Sequence, residues 1–128
     1  MKHYLGIKTI LIKVSWNTFA GLPLLFENLL QAKKLLVDTG LVAYKLPDGA
    51  IIELYGPGAS YPPYLFLHGD IVIGYRVSNL KAAMAQLLEE GASILGNVVS
   101  ISPDHHFCFL LINDVQVIGL FEMGVAIR

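Results

Sequence analysis

The sequence predicts an α+β fold built from two β-α-β-β-β modules in tandem, and three observations carry that prediction. Each half of the chain opens with a period-two apolar run, passes into an apolar stripe spaced by threes and fours, and closes on three short strand-like runs. Between the halves, residues 56–69 hold three of the six prolines and three glycines, which marks a junction. The two opening strands also align: Ile10-Leu11-Ile12-Lys13-Val14-Ser15 matches Ile73-Gly74-Tyr75-Arg76-Val77-Ser78 at an offset of 63. One domain over residues 1–128 is therefore expected, with module 1 at 7–56, a linker at 57–69 and module 2 at 70–123.

Residues 7–15 read as the first strand because Ile10, Ile12 and Val14 alternate with Thr9, Leu11 and Lys13. Leu22, Leu25, Phe26, Leu29 and Leu30 then form a helical stripe, and Pro23, tolerated only in a first turn, puts the helix start near residue 20. Strand-like runs at 33–37, 41–46 and 50–55 are separated by Asp38-Thr39-Gly40 and Pro47-Asp48-Gly49, so they read as an antiparallel meander. The second half repeats the order. A strand at 71–77 precedes a helix from Asn79 to Glu90, with Asn79 as cap, Leu80, Ala83, Met84, Leu87 and Leu88 as buried stripe, and Gly91 as stop. Three further strands fall near 93–100, 106–112 and 115–121, the last two joined through Asn113-Asp114, read as a two-residue hairpin loop.

Composition narrows the function. A formal net charge of −1 gives no footprint for nucleic acid or an anionic membrane. Apolar residues reach 55% and charged ones only 15%, so surface beyond the core wants covering. A homodimer is expected on that ground, with Trp16, Tyr61 and Tyr64 as candidate contacts. The single cysteine, Cys108, excludes an intramolecular disulfide and any multi-cysteine metal cluster, and fits a reducing compartment. Apolar runs such as 107–112 fall far short of the roughly 20 residues that span a bilayer. Lys13 interrupts the N-terminal apolar stretch and no small-residue cleavage site follows, so a cytoplasmic protein without a signal peptide is expected.

The doubled module order resembles the vicinal oxygen chelate superfamily, which includes glyoxalase I, extradiol dioxygenases and the fosfomycin- and bleomycin-resistance proteins. Asp48-Gly49-Ala50-Ile51-Ile52-Glu53-Leu54 resembles that family's D-G-x-x-hydrophobic-E-L fourth strand. Tyr75-Arg76-Val77-Ser78-Asn79-Leu80 resembles its F-x-V-x-D-L approach to the second helix, and Gly91-Ala92 its G-A after that helix. The resemblance covers the whole chain and implies a curved mixed eight-stranded sheet, cupped on one face, with the helices on the outer face. Family metal ligands usually stand on the first and last strands of each module; matched to this chain those positions are Thr9, Glu53, Val72 and Gly119. Glu53 alone among them suits a metal, since a divalent ion needs at least three donor side chains. The resemblance thus implies the fold without the usual metal site and without a cofactor. The D-P-x-G turn of many relatives is replaced by Asn113-Asp114-Val115.

Strand parity assigns the residues that line the cup, because alternate side chains face opposite sides of a sheet. The first strand offers Thr9, Leu11 and Lys13, the fourth Ile51, Glu53 and Tyr55, the fifth Val72, Gly74 and Arg76, and the eighth Val117, Gly119 and Phe121. A two-residue loop at Asn113-Asp114 would add His106, Cys108 and Leu110, with Cys108 opposite Gly119. Glu53 is the candidate general acid or base, with Lys13 or Arg76 as the cation that pairs with it or holds an anionic ligand. His106 and Cys108 admit a thiolate-imidazole reading, against the commoner one of Cys108 as a small buried hydrophobe. The expected function is a small-molecule-binding protein of the glyoxalase/bleomycin-resistance type that takes a small organic molecule, anionic ones included. The alternatives are a lyase- or isomerase-type enzyme using Glu53 as acid or base or as a lone retained metal ligand, and a structural dimer with no pocket.

Overall fold

A computed structural model describes residues 4–15 and 21–124. Trp16 and His3 lie outside the described residues. The described chain divides into two compact units, one over 8–72 and the other joining 73–124 to residues 4–7. The expected linker therefore belongs to the first unit, and the opening strand contributes to both.

In the first unit the strands are β1 (Tyr4–Lys13, from Lys8 onward), β2 (Lys33–Asp38), β3 (Leu41–Lys45) and β4 (Ile51–Tyr55). Their order is β2-β3-β4-β1, with β1 parallel to β4 and the other pairs antiparallel. One face is apolar throughout: Ile10, Ile12, Val42, Ile52 and Leu54 pack with Phe26. Tyr44 is fully buried there, its ring stacked on Phe26 at 5.5 Å and its hydroxyl donating to Glu27 Oε2 at 2.8 Å. That bond, and Lys34 at 3.4 Å, hold the Glu27 carboxyl below its usual range.

The first helix departs from expectation. α1 runs over 21–24 and then widens into a π-turn at Leu25–Leu29, closed by Leu30 N–H donating to Leu25 C=O at 3.1 Å. A five-residue step rotates side chains off the three-and-four spacing of an α-helix, so the leucine stripe does not share one face. Phe26 is buried and Leu22 partly packed, whereas Leu24, Leu25, Leu29 and Leu30 are exposed.

The second unit holds β5 (Ile71–Val77, from Ile73 onward), α2 (Leu80–Glu89), β6 (Ser93–Ser102), β7 (His105–Ile112) and β8 (Gln116–Met123), in sheet order β5-β8-β7-β6. β5 is parallel to β8; the others pair antiparallel. Asn79 Oδ1 accepts from Ala82 N–H at 2.9 Å, as the expected N-cap. Gly91, at φ +102°, ends the helix as expected: Gly91 N–H reaches Leu88 C=O and Ala92 N–H reaches Leu87 C=O at 3.0 Å, the paired bonds of a Schellman motif. Leu80 and Ala83 are buried and Met84 and Leu87 partly so, but Leu88 turns outward.

The β7–β8 hairpin corrects the expected register. Asn113 and Asp114 adopt φ of +52° and +59°, and Val115 N–H bonds Ile112 C=O at 3.1 Å, so the tight turn forms. Val115 nevertheless stays out of the ladder, and Gln116 takes the place opposite Ile112. One extra residue turns every β7 side chain to the other face relative to β8. Cys108 then opposes Leu120 and Leu110 opposes Ile118, all packed beneath α2, while Phe107 opposes Phe121 and Phe109 opposes Gly119.

Candidate functional site

In each unit most of the site candidates occupy the sheet face that turns away from the helix; His106, Cys108 and Leu110 do not. In the first unit that face carries Thr9, Leu11 and Lys13 of β1 beside Ile51, Glu53 and Tyr55 of β4, with Leu11 opposite Glu53 and Lys13 opposite Tyr55. The parity argument therefore holds for this module. Glu53 finds its partner two residues along its own strand, where Tyr55 OH donates to Oε1 at 2.5 Å. Neither Thr9 nor Lys13 pairs with it among the described residues. Burial, then the neighbouring Glu53 charge and hydrogen bond, push the Tyr55 phenol well above its ordinary value, so it remains a donor at neutral pH.

The 57–69 segment folds onto this face instead of merely connecting. Leu65 and Phe66 are buried, and the rings of Tyr61 and Phe66 meet Tyr55 edge-on at 5.9 and 5.5 Å. Lys13 Nζ lies 6.0 Å from the centre of the Tyr61 ring. Thr9 is only 2% exposed, and its Oγ1 is buried with no hydrogen-bond partner among the described residues. A buried hydroxyl left unsatisfied costs about 1–3 kcal/mol.

Tyr55 also sets a pH dependence. A raised tyrosine pKa means folding favours the protonated phenol, so stability is unaffected below the unfolded-state value of about 10 and falls as pH rises above it. Buried Tyr44 is shifted the same way. Urea unfolding followed from pH 8 to 11.5 is expected to lose at most about 1.4 kcal/mol per pH unit for each such tyrosine above pH 10, and Tyr55→Phe should flatten the slope. Equal slopes in wild type and Tyr55→Phe would contradict the assignment.

In the second unit Gly119 stands opposite Phe109 and beside Gly74, and Phe121 stands opposite Phe107 and beside Arg76. The three rings fill this face: Phe107 stacks on Phe121 at 5.1 Å and 15°, and Phe109 meets Phe121 at 89°. A Cβ at Gly119 would come within 2.9 Å of Phe121 Cε1 and 3.0 Å of Phe109 Cε1. Arg76 is exposed at the edge of this cluster and makes no ion pair among the described residues.

The structure thus keeps Thr9, Leu11, Lys13, Glu53 and Tyr55 together in one module and Arg76 with Phe121 in the other. It removes His106, Cys108 and Leu110 from that face, for the register reason given above. Cys108 is 1% exposed, its Sγ 3.8 Å from Met84 Sδ, and burial pushes its thiol up to about 11, so it is a core thiol and no nucleophile. His106 accepts from or donates to Ser100 Oγ through Nδ1 at 2.7 Å and donates through Nε2 to Pro103 C=O at 2.8 Å. It lines a cleft of about 360 Å³ with Met84, Val98 and Glu122, on the α2 side. Phe107 and Phe109 were missed by sequence reasoning. The signal that marks them is size: a large ring fits opposite Gly119 better than a thiol does.

The residues at the four family metal positions do not fit a metal ion. Valine and glycine offer no donor, Thr9 a single neutral hydroxyl, and the Gly119 place is closed by two rings. Among the described residues no three histidine, cysteine or carboxylate side chains come together as a metal site elsewhere either.

No family model and no curated protein matches the chain. Solved structures do. Methylmalonyl-CoA epimerase from Mycobacterium tuberculosis aligns over 95% of this chain and 90% of its own, at TM-score 0.64 and 20% identity. The Mn(II)-bound glyoxalase from Novosphingobium aromaticivorans aligns over 98% of this chain and 42% of its own, at TM-score 0.70 and 12% identity. A glyoxalase/bleomycin resistance protein/dioxygenase superfamily member from Vibrio splendidus 12B01 aligns over 90% and 97%, at TM-score 0.56 and 15% identity. At these identities the likeness is one of fold.

Proposed function

Starting from the vicinal oxygen chelate fold that this chain has, we propose that it is a small-molecule-binding protein that works without the family's usual metal. The ligand is a small organic molecule with a flat apolar body and one anionic group. The observation that carries this reading is the Phe107, Phe109 and Phe121 cluster with Arg76 directly beside Phe121. Rings supply affinity through apolar area, and one placed guanidinium orients a carboxylate or phosphate. Lys13 beside Tyr55 repeats the cation-next-to-ring arrangement in the other module.

Calorimetric titration with a series of aryl carboxylates and their neutral amides tests it. Arg76→Ala or Lys13→Ala is expected to weaken the anion tenfold or more, about 1.4 kcal/mol, and to leave the amide unchanged. Failure of every such compound to protect the fold against heat would sink the reading. Elemental analysis finding close to one zinc, manganese, nickel or iron per chain, lost on Glu53→Ala, would sink its metal-free part.

A second reading is favoured by one observation, the Glu53 carboxylate held by Tyr55 with, on the same face, a Thr9 hydroxyl that has no partner among the described residues. It is a lyase- or isomerase-type enzyme with Glu53 as acid or base. Glu53→Gln separates the two: a binding protein retains affinity within a few-fold, whereas turnover resting on that carboxylate drops by on the order of a hundredfold or more. The protein is further read as a cytoplasmic homodimer. Exposed leucines on α1 support the pairing, and no helix among the described residues is long and apolar enough to cross a membrane.

A further inference from the structure

On the helix side of the second sheet three adjacent strands set a serine, a histidine and a glutamate in one row. Ser100 of β6 stands opposite His106 of β7, and His106 stands opposite Glu122 of β8. The hydrogen bonds around the neutral imidazole fix its tautomer. Pro103 C=O, 2.8 Å from Nε2, can only accept, so Nε2 carries the proton. Nδ1 is then a bare acceptor, and the Ser100 hydroxyl 2.7 Å away donates to it. Pro103 stands in the β6–β7 turn, across which Ser102 Oγ donates to Asp104 Oδ1 at 2.8 Å. Glu122 is engaged elsewhere: its Oε1 accepts from Leu80 N–H, at the start of α2, at 2.6 Å. The group that orients the histidine is therefore the Pro103 carbonyl.

A hydroxyl that donates to an imidazole anchored through its other nitrogen is the arrangement of an activated nucleophile. Ser100 is exposed, so a substrate can reach it. Beside the pair lies the cleft of about 360 Å³, where Leu80, Met84 and Val98 line an apolar wall next to His106. Val98 stands two residues from Ser100 on the same strand. We propose that Ser100 and His106 form an acyl-transfer site, separate from the Phe107, Phe109 and Phe121 cluster, whose substrates are uncharged aryl esters of short acyl chains. The cleft holds the acyl chain, and the Glu122 carboxylate in its lining disfavours an anionic one. Lys81, also in the lining, meets the charge that develops on the carbonyl oxygen. One flexible ammonium is a weak oxyanion site, which is why the leaving group must be a good one such as a phenol. Ser100 Oγ bonds to the carbonyl carbon as its proton passes to His106 Nδ1. The bond to the phenol oxygen then breaks, and the phenol departs with that proton. Water repeats the step on the acyl-serine: its proton goes to Nδ1 and on to Ser100 Oγ as the carboxylic acid leaves.

The test uses the full chain and two probes. A neutral butyl fluorophosphonate, which loses fluoride to give a stable serine adduct, is expected to label Ser100 at least about a hundredfold faster than the equally exposed Ser93 of the same strand, as read by peptide mass spectrometry. His106→Gln keeps a hydrogen-bonding side chain opposite Ser100 but no base, and brings its labelling to within a few-fold of Ser93. With para-nitrophenyl butyrate, the wild type releases nitrophenol over many turnovers. Ser100→Ala loses that release while its circular dichroism is unchanged. Val98→Trp, which narrows the cleft, slows the butyrate ester more than the acetate. Labelling of Ser100 no faster than Ser93, labelling undiminished in His106→Gln, or nitrophenol release undiminished in Ser100→Ala would each overturn the proposal.

Discussion

Gly40→Ala is expected to destabilise the protein by about 3 kcal/mol, well beyond the usual cost of filling a glycine turn. Gly40 sits at φ +71°, which alone costs an alanine about 1 kcal/mol. The larger part is steric, because a Cβ there would lie 2.6 Å from the Pro57 carbonyl oxygen and closer still to Ala59 N. Both are backbone atoms, so no rotamer change relieves the clash. Nor can the turn slide away, since Gly56 N–H donates to Gly40 C=O at 2.6 Å. Gly49 is the control: its φ is +94° but nothing lies within 4 Å of its Cβ position, so Gly49→Ala should lose only the conformational part, about 1 kcal/mol. Urea denaturation of the two variants measures the difference, and equal midpoints would refute the argument. Because the displaced segment carries Tyr61 and Phe66 onto Tyr55, the near-ultraviolet circular dichroism of Gly40→Ala should change as well.

Leu110→Ala and Phe107→Ala are expected to part stability from binding. Leu110 is fully buried beneath α2, so its truncation should cost about 2–5 kcal/mol while the affinity for an aryl anion stays within about threefold. Phe107 stacks on Phe121 on the other face, and Phe107→Ala should weaken that ligand about tenfold or more at a smaller cost in stability. With Val115 inside the ladder the roles would be exchanged. Calorimetry combined with chemical unfolding tells the two apart, and loss of binding in Leu110→Ala at unchanged stability would restore the two-residue register.

That register is where the sequence stopped being legible. β5 was readable to the residue because Ile71–Val77 is bounded by turn residues and has one apolar face, and the same alternation placed Thr9, Glu53 and Tyr55 on one side of their module. β7 reads Phe-Cys-Phe-Leu-Leu-Ile, apolar on both faces, so alternation cannot say which face meets the helix. The answer then hangs on the turn, and Asn113-Asp114 lacks the glycine that would announce a residue held out of the ladder. The α1 stripe failed for a different reason. Apolar spacing reports burial only while the helix keeps its pitch, and a π-turn does not.

The Phe109–Gly119 pair has its counterpart in the first module, where Glu53 stands opposite Ala43. Large faces small in both, but the large member has changed strands. This exchange constrains the order in which substitutions can accumulate. A histidine or glutamate arriving at 119 while Phe109 remains meets a space already taken by two rings, and truncation of Phe109 alone leaves a void beside a glycine. Each step is unfavourable by itself, and the two compensate only when combined. The two positions are therefore coupled: a side chain at 119 is expected to cost less stability with Phe109 truncated than with Phe109 in place.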